Sequence, residues 1–526
     1  MSKHRIASPT LPPPKRPHLS LDKDYLIELS FQSALSDELV LSIFSHLDMK
    51  SLCAAQATSG NWSRLATDNE LWKNLYLRTF GRPRLRGARG FVGRSDGRQI
   101  KALPGRAGNV EELKDWKFMF RISSNWKNGR CAMEDLRPRN QGSESSHVLL
   151  VGSLTITATS QASLCPSVHL QSPTGVDHIL SCPIAHSAHI TTLALDQSAP
   201  STAHIRLAVF LSSGEFRMFS INHNLPSLSH AEFAYTPSRR SSRTCPIIKA
   251  VYHHPLLITL SESFSLSFYD LSSGSAVLTQ TLTSFTTYPP TSLVLSTTPY
   301  NTYKLVLAYA IPLPHSSSFL TPEHNPMTII STRTARALDV PQGWVDEKKL
   351  RLMREQWGRK VSRVADTQTD GKWVVLAPED PASSSTSASS SSSAPSSPGS
   401  SSSSSSSPYT PSSSIYSPTS LQLYRLSLPS STAVSSSSPK LTFVRNLRGQ
   451  LGPVSALALS DGRCVSFGVN GSIWVWDLEA DMGTEVACPG IFDKLELMDA
   501  KRSVVFDERR IVTAVNEHVV ERRFDI

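Results

Sequence analysis

The chain of 526 residues lacks the features of a membrane-spanning or secreted protein. It has no run of about 18 apolar residues, which a membrane-spanning helix needs. Its N-terminus, MSKHRIASPTLPPPKRPHLS, has prolines where a secretory signal has an apolar run. We therefore expect a chain that stays inside the cell, in the cytoplasm, the nucleus or both.

The sequence is also poor in cysteine and in catalytic motifs. Its seven cysteines are scattered, with no C-x-x-C pair and no histidine at ligand spacing, so we expect reduced thiols and no zinc site. Neither G-x-x-x-x-G-K-[ST] nor H-E-x-x-H occurs. The G-x-S-x-G match at residues 93–97 lies in an Arg/Gly-rich segment without the strand and helix of a nucleophile elbow. The sequence predicts no catalytic residue, no metal site and no cofactor.

Positive charge is concentrated in one segment. The formal net charge is +10, and residues 78–107 hold nine Lys or Arg against a single Asp. A solvated basic linker explains this better than a nucleic-acid-binding stripe, because the segment has few aromatic side chains on which bases could stack. We do not expect a nucleic-acid partner.

Residues 35–48, LSDELVLSIFSHLD, have apolar side chains at helical spacing. A helix that begins after Ser36 places six of them along one stripe: Leu35, Leu39, Val40, Ile43, Phe44 and Leu47. Ser36 is in position to cap this helix. Three further short helices are predicted before residue 80. Four short helices bury little surface, so such a unit usually docks on a partner or on a neighbouring domain.

The spaced residues of this segment, about 33–80, resemble the F-box. That module binds a Skp-family adaptor and so joins a cullin-based ubiquitin ligase. Ser36 stands where the family usually has proline. The resemblance implies that seven residues contact the adaptor: Leu35, Leu39, Ile43, Phe44, Leu47, Leu52 and Trp62.

From Val148 onward, short apolar or alternating segments are separated by clusters of turn-forming residues, the pattern of an all-β fold. In the segment SIWVWDL, Ile473 and Val475 point to one side and Trp474 and Trp476 to the other. A strand that is apolar on both faces lies between two layers, as a propeller blade does.

The unit that ends in Trp476-Asp477 resembles a WD repeat. Gln450 stands in place of the family's His and Asn470 in place of its turn Asp, which would alter the internal hydrogen-bond network. Weaker copies recur roughly 50 residues apart once a serine-rich insertion is removed, and they predict seven units. The last unit has only three strands, and an unpaired edge there would be a liability. Residues 125–136, NWKNGRCAMEDL, resemble the lead-in that F-box propeller proteins use to supply the missing strand, so we expect residues 130–136 to close the ring.

The predicted fold is therefore α plus all-β, a small F-box helical module followed by a seven-bladed WD-type β-propeller. The predicted ranges are a disordered tail at 1–32, the F-box at 33–80, a basic flexible linker at 81–108, a helical linker at 109–128 and the propeller at 129–526. A Ser/Pro-rich loop at 381–419 interrupts the propeller and is expected to be disordered.

Two connections between predicted blades are basic, and WD-type geometry would place both on one face. They contain the candidate substrate-binding residues Arg239, Arg240, Arg243, Lys348, Arg351 and Arg354. Converging guanidinium groups could hold an acidic or phosphorylated segment of a substrate. Solvated loops without a ligand are the other interpretation.

Together the two modules imply the substrate-recognition subunit of an SCF-type ubiquitin ligase, which is a non-catalytic receptor. The expected partners are a Skp-family adaptor, a cullin bound through it and a protein substrate, with no membrane. The alternative is a propeller scaffold whose F-box-like helices serve no ubiquitin transfer, and Ser36 is the feature that favours it.

Overall fold

The computed structural model describes most of the helical module and of the β-rich region. The described residues are 35–81, 115–136, 145–172, 177–198, 204–237, 245–283, 292–297, 303–308, 311–312, 327–328, 364–378, 420–427, 440–450, 452–460, 462–487, 502–515 and 518–526. Within these ranges, no helix is both long enough and apolar enough to cross a membrane. The predicted tail, residues 82–108 of the predicted basic linker and the serine-rich loop lie outside them.

The chain divides into two compact units, the first ending at Leu75 and the second beginning at Tyr76. The helices are α1 Asp37–Phe44, α2 Met49–Gln56, α3 Gly60–Ala66, α4 Asn69–Tyr76, a π-helical turn Leu77–Gly81, and α5 Trp116–Asn128. All four short helices predicted before residue 80 are present.

Polar side chains set the starts of the short helices. The Asp48 carboxylate accepts the backbone N–H of Ser51 at 3.0 Å and caps α2, while the Ser59 hydroxyl accepts that of Trp62 at 3.3 Å and caps α3. Ser36 occupies the cap position of α1, but its side chain makes no capping hydrogen bond. The expectation that Ser36 caps α1 through its side chain is therefore wrong.

The remainder of the described chain is almost entirely β-structure. The strands are β1 Ala132–Asp135, β2 Ser145–Val151, β3 Leu154–Thr159, β4 Ser167–Gln171, β5 Asp177–Ser181, β6 Ile190–Leu195, β7 His204–Leu211, β8 Phe216–Asn222, β9 His230–Tyr235, β10 Ile247–His253, β11 Leu256–Ser261, β12 Ser265–Asp270, β13 Val277–Thr283, β14 Ser292–Thr297, β15 Tyr303–Ala308, β16 Ile311–Pro312, β17 Met327–Thr328, β18 Val364–Thr369, β19 Trp373–Pro378, β20 Leu421–Ser427, β21 Lys440–Leu447, β22 Val454–Ser460, β23 Arg463–Gly468, β24 Ile473–Asp477, β25 Met482–Ala487, β26 Arg502–Phe506, β27 Arg510–Val515 and β28 His518–Arg523.

These strands form a β-propeller with six four-stranded blades in the described residues. In chain order the blades are β2–β5, β6–β9, β10–β13, β18–β21, β22–β25 and β26–β28 with β1, and every pairing within them is antiparallel. The expectation of seven blades is therefore wrong. Where the fourth unit was predicted, β14 pairs with β15, and the two-residue strands β16 and β17 pair with each other; the described residues there form no other ladder. Two such short ladders do not make a four-stranded blade, although β14 packs against both β10 and β18.

Ring closure follows the prediction made for residues 130–136. Strand β1 pairs antiparallel with β28, with Ala132 opposite Arg523 and Asp135 opposite Val520. The final blade therefore takes its outer strand from the segment that precedes the first blade. This pairing covers an edge of β28 that would otherwise be open to another chain.

A buried arginine joins the final blade to the first. Arg510 is 5 % exposed and forms an ion pair with Glu521 at 3.2 Å. Its guanidinium also donates to the backbone carbonyls of Gly152 at 3.0 Å and Leu154 at 2.9 Å. Because each buried polar group here has a partner, the charges can stay in the interior.

Helix α5 is anchored on the final blade. The ring of Trp126 stacks on Phe524 with centroids 3.9 Å apart, and its indole N–H donates to the backbone carbonyl of Glu508 at 2.9 Å. The Asn125 amide donates to the carbonyl of Phe524 at 2.8 Å. Residues 116–128 of the predicted helical linker are thus packed in the second unit.

The blade that resembles a WD repeat keeps a connected internal network despite its substitutions. Trp476 Nε1 donates to Ser466 Oγ at 3.0 Å, and Ser466 donates to Gln450 Oε1 at 2.5 Å. Ser472 Oγ accepts from Gln450 Nε2 at 3.4 Å and donates to Asn470 Oδ1 at 2.7 Å. An amide at position 450 can accept on one side and donate on the other, as an imidazole can, so the chain of bonds is complete.

Candidate functional site

The surface of α1 carries two large apolar side chains that its own module leaves exposed. Leu39 is 55 % exposed and Ile43 is 45 % exposed, and they lie one helical turn apart on the same side. The neighbouring flank of the helix holds Val40 and Phe44, which are 2 % and 3 % exposed. The helix is therefore apolar on two flanks, of which one fills the core and the other faces outward.

Aromatic packing holds α1 in this orientation, and an exposed ion pair lies at its start. Phe44 meets Trp62 of α3 edge to face, with ring centroids 5.4 Å apart. At the start of the helix, Asp37 pairs with Arg64, which also donates to the Asn61 side-chain carbonyl at 2.8 Å. The exposed ion pair adds little stability, since such pairs are worth about 0–1 kcal/mol. The aromatic contact is what fixes which flank points inward.

The structure separates the seven predicted adaptor-contact residues into different environments. Phe44 and Leu52 are buried, while Leu35, Leu47 and Trp62 are half-buried, and only Leu39 and Ile43 are largely exposed. Phe44 and Leu52 are therefore part of the module's own core, and the exposed apolar pair Leu39 and Ile43 is called the α1 surface below.

The cap of α2 lies next in the chain and has a titratable group. Hydrogen bonds from the side chain and the backbone N–H of Ser51 lower the pKa of Asp48 below its ordinary value. Asp48 is exposed, so the effect comes from these bonds to the ionised form and not from burial. At neutral pH the carboxylate is charged and the cap is complete.

The predicted substrate-binding residues lie in parts of the chain that the structure does not describe. Arg239, Arg240, Arg243, Lys348, Arg351 and Arg354 are all outside the described residues. Their convergence on one propeller face therefore stays a prediction.

The described residues offer no group of three or more His, Cys, Asp or Glu side chains that could hold a metal ion. Burial raises the pKa of the Cys182 thiol to about 11 and also raises the pKa values of Cys131 and Cys464. These three thiols are protonated at neutral pH, and a protonated thiol is a poor nucleophile.

Comparison with known proteins agrees with this geometry. Residues 37–78 match the family described as F-box-like. The chain is 30% identical over 148 residues to sconB of Arthroderma otae, named a probable E3 ubiquitin ligase complex SCF subunit, and the match covers 24% of this chain and 21% of that protein. It is 26% identical over 139 residues to an F-box protein of Saccharomyces cerevisiae, a match that covers 24% of this chain and 22% of that one.

A third relative is the F-box protein pof12 of Schizosaccharomyces pombe, which is 28% identical over 156 residues that cover 28% of this chain and 30% of the relative. The matches with these three relatives thus span between 21% and 30% of their own lengths. The F-box prediction is confirmed by the family match. The chain carries an F-box-like domain at residues 37–78 and a β-propeller after it.

Proposed function

We propose that this protein is the substrate-recognition subunit of an SCF-type ubiquitin ligase. The observation that carries the proposal is the α1 surface: two exposed aliphatic side chains on the first helix of a domain that matches the F-box-like family. In this proposal the α1 surface binds a Skp-family adaptor, through which a cullin is joined. The names of the relatives, an SCF subunit and two F-box proteins, support it.

The protein acts by positioning and makes or breaks no bond itself. Holding the ligase through the F-box-like domain and the substrate through the propeller turns a bimolecular transfer into an effectively intramolecular one. The local concentration of substrate at the ligase then rises without any catalytic residue in this chain. The place of action is the cytoplasm, the nucleus or both.

Burial of the α1 surface supplies the adaptor contact. Full burial of a Leu or Ile side chain is worth roughly 1.5–3 kcal/mol. Leu39 and Ile43 already have about half of their surface covered in the free module, so each has roughly 0.7–1.5 kcal/mol left to contribute. These two residues would supply the apolar centre of the interface, and polar contacts at its rim would contribute further binding energy.

The substrate is bound by the propeller, with the basic connections as the proposed contact. Arginine holds carboxylate and phosphate groups by paired, charge-assisted hydrogen bonds. The positive charge at Arg239, Arg240 and Arg243 would favour an acidic or phosphorylated segment. Reversing the charge of Arg239 and Arg240 to Glu should reduce substrate recovery and leave adaptor recovery unchanged.

A matched control for that change reverses two exposed charges elsewhere on the second unit, Lys127 and Arg425. If the Arg239 and Arg240 variant and this control both recover the same non-ligase proteins as the unaltered chain, substrate recognition does not use the basic connections.

The experiment that tests the ligase proposal is affinity purification of the tagged full chain from cells, followed by identification of bound proteins. Adaptor and cullin should be recovered with the full chain and lost when residues 37–78 are deleted. Recovery of neither protein with the full chain would refute the proposal.

A further inference from the structure

Polar contacts join the second blade to the third beside their first strands, β6 and β10. Asp196 directly follows β6 and forms an isolated parallel bridge with Tyr252 of β10. The backbone N–H of Gln197 donates to the carbonyl of Tyr252 at 3.0 Å. The backbone N–H of His254 donates to Asp196 Oδ1, also at 3.0 Å. The turn between β10 and β11 is therefore held on the second blade by hydrogen bonds in both directions.

A buried hydroxyl group lies beside this junction. The side chain of Tyr252 is 0 % exposed, and its Oη lies 3.2 Å from Nδ1 of His254. Burial raises the pKa of Tyr252, so the hydroxyl keeps its proton, and the guanidinium of Arg206 on β7 interacts with the same hydroxyl. A guanidinium can only donate, so the hydroxyl accepts from Arg206 and gives its own proton to Nδ1 of His254. In this arrangement the His254 ring is neutral and carries its proton on Nε2.

Protonation of His254 is incompatible with this arrangement. Both ring nitrogens of an imidazolium are donors, so Nδ1 can no longer accept a hydrogen bond. The proton of the Tyr252 hydroxyl then loses its acceptor in the interior, where an unpaired polar group is costly. The new positive charge also lies close to Arg206, which repels it.

Charged groups on several elements face the His254 ring. Arg206 opposes a second proton there. Three carboxylates, on different elements of the two blades, favour it: Asp196, Glu232 and Asp270. On β15, Tyr303 packs edge to face on the neighbouring His253, with ring centroids 5.6 Å apart. Burial of the ring, together with Arg206, outweighs the three carboxylates, so the pKa of His254 lies below its ordinary value.

We propose that Tyr252 and His254 form a pH-sensitive latch between the second and third blades. The latch is closed while His254 is neutral and opens when His254 takes up a proton. Opening frees the turn between β10 and β11 from Asp196 and leaves the strand pairing within each blade intact. This inference does not depend on the proposed ligase function.

The direction of the pH effect follows from the lowered pKa. The unfolded chain takes up the proton on His254 at a higher pH than the folded chain does. The stabilisation by the latch is therefore fully present above the unfolded-state pKa, which is about 6.5 for histidine. It is lost as the pH falls from that value through the folded-state pKa. The latch should thus open on mild acidification.

Hydrogen–deuterium exchange of the full chain, read by mass spectrometry, tests the latch directly. Exchange is measured at about pH 7.5 and about pH 5.5, on either side of the ordinary histidine pKa, and corrected for the intrinsic effect of pH on amide exchange. Peptides that contain Gln197 and His254 should exchange at least about threefold faster at the lower pH, because the opened junction no longer protects their amides. Peptides from β23 and β27 should show no such difference.

Two variants assign the effect to the latch. His254→Asn places a side-chain carbonyl near the position of Nδ1 and does not titrate, so protection at the junction should become independent of pH. Tyr252→Phe removes the hydroxyl that distinguishes neutral from protonated His254, so the pH difference should shrink. The matched control is His518→Asn, which replaces an exposed histidine on β28 and should keep the full pH difference. Circular dichroism at the higher pH checks that each variant is folded.

The same exchange of junction peptides at both pH values in the unaltered chain would overturn the proposal. So would a pH difference that persists undiminished in a folded His254→Asn or Tyr252→Phe variant, because another titrating group would then account for it. Loss of the difference in His518→Asn would also overturn it, since the effect would then not be specific to His254.

Discussion

Replacing Leu39 and Ile43 together by alanine should weaken binding of the Skp-family adaptor by about 10- to 100-fold. Each side chain has about half of its surface left to bury. The double change therefore removes roughly 1.4–3 kcal/mol of contact, and about 1.4 kcal/mol corresponds to tenfold in the dissociation constant. Isothermal titration calorimetry of the purified chain with purified adaptor measures this directly.

The fold of the module should be unaffected by this change. Substitutions of exposed side chains usually alter the free energy of unfolding by less than about 0.5 kcal/mol. Phe44→Ala is different, because Phe44 is buried against Trp62 and its removal should cost about 3–5 kcal/mol. A double substitution of Ile43 and Phe44 would therefore combine loss of the adaptor contact with unfolding of the module. The double substitution of Leu39 and Ile43 removes the contact alone.

A control for general loss of apolar surface replaces Leu225 and Leu228 by alanine. Both are 56 % exposed and lie in the second unit, so adaptor binding should be unchanged. If the Leu39 and Ile43 double variant binds the adaptor within threefold of the unaltered chain while remaining folded, the α1 surface is not the docking site.

Three further predictions concern stability. Ser36→Pro should raise the free energy of unfolding of the helical module by about 0.4–1 kcal/mol in chemical denaturation, because Ser36 has a φ of −70° and no capping bond to lose; an unchanged midpoint would contradict this. Arg510→Met leaves the Glu521 carboxylate buried without its partner. The free energy of unfolding of the propeller should therefore fall by about 3–5 kcal/mol, seen as a lower thermal unfolding midpoint. An unchanged midpoint would show that ring closure does not need the pair. The pKa of Asp48 is lower in the folded state than in the unfolded state. The Asp48 cap therefore stabilises α2 at pH values above the unfolded-state pKa, and this stabilisation is lost as the pH falls through the folded-state pKa. Asp48→Asn should remove part of the acid sensitivity of helix content measured by circular dichroism, and identical acid transitions in the two proteins would argue against the cap.

The sequence by itself determined the type and order of the elements. Apolar steps of three and four residues predicted the helices, and alternation with turn dipeptides predicted strands such as β22 to β24. The missing fourth strand of the last unit, together with the resemblance of residues 125–136 to the lead-in of F-box propeller proteins, predicted that residues 130–136 close the ring, and β1 does so. The helix and strand predictions succeed because periodicity reflects local backbone geometry.

Only the tertiary structure decided three other properties. Leu39 and Phe44 belong to one apolar stripe, and it is packing of Phe44 on Trp62 that turns Leu39 outward. Gln450 replaces a histidine without breaking the network, because its amide is placed between Ser466 and Ser472. The number of four-stranded blades depends on which distant segments pair. Strand β19 pairs with β20 across the serine-rich insertion and so completes a blade. The segments of the predicted fourth unit instead form two separate ladders. Spacing along a chain does not contain that information, because pairing is decided by the packing of each strand against its neighbours in space.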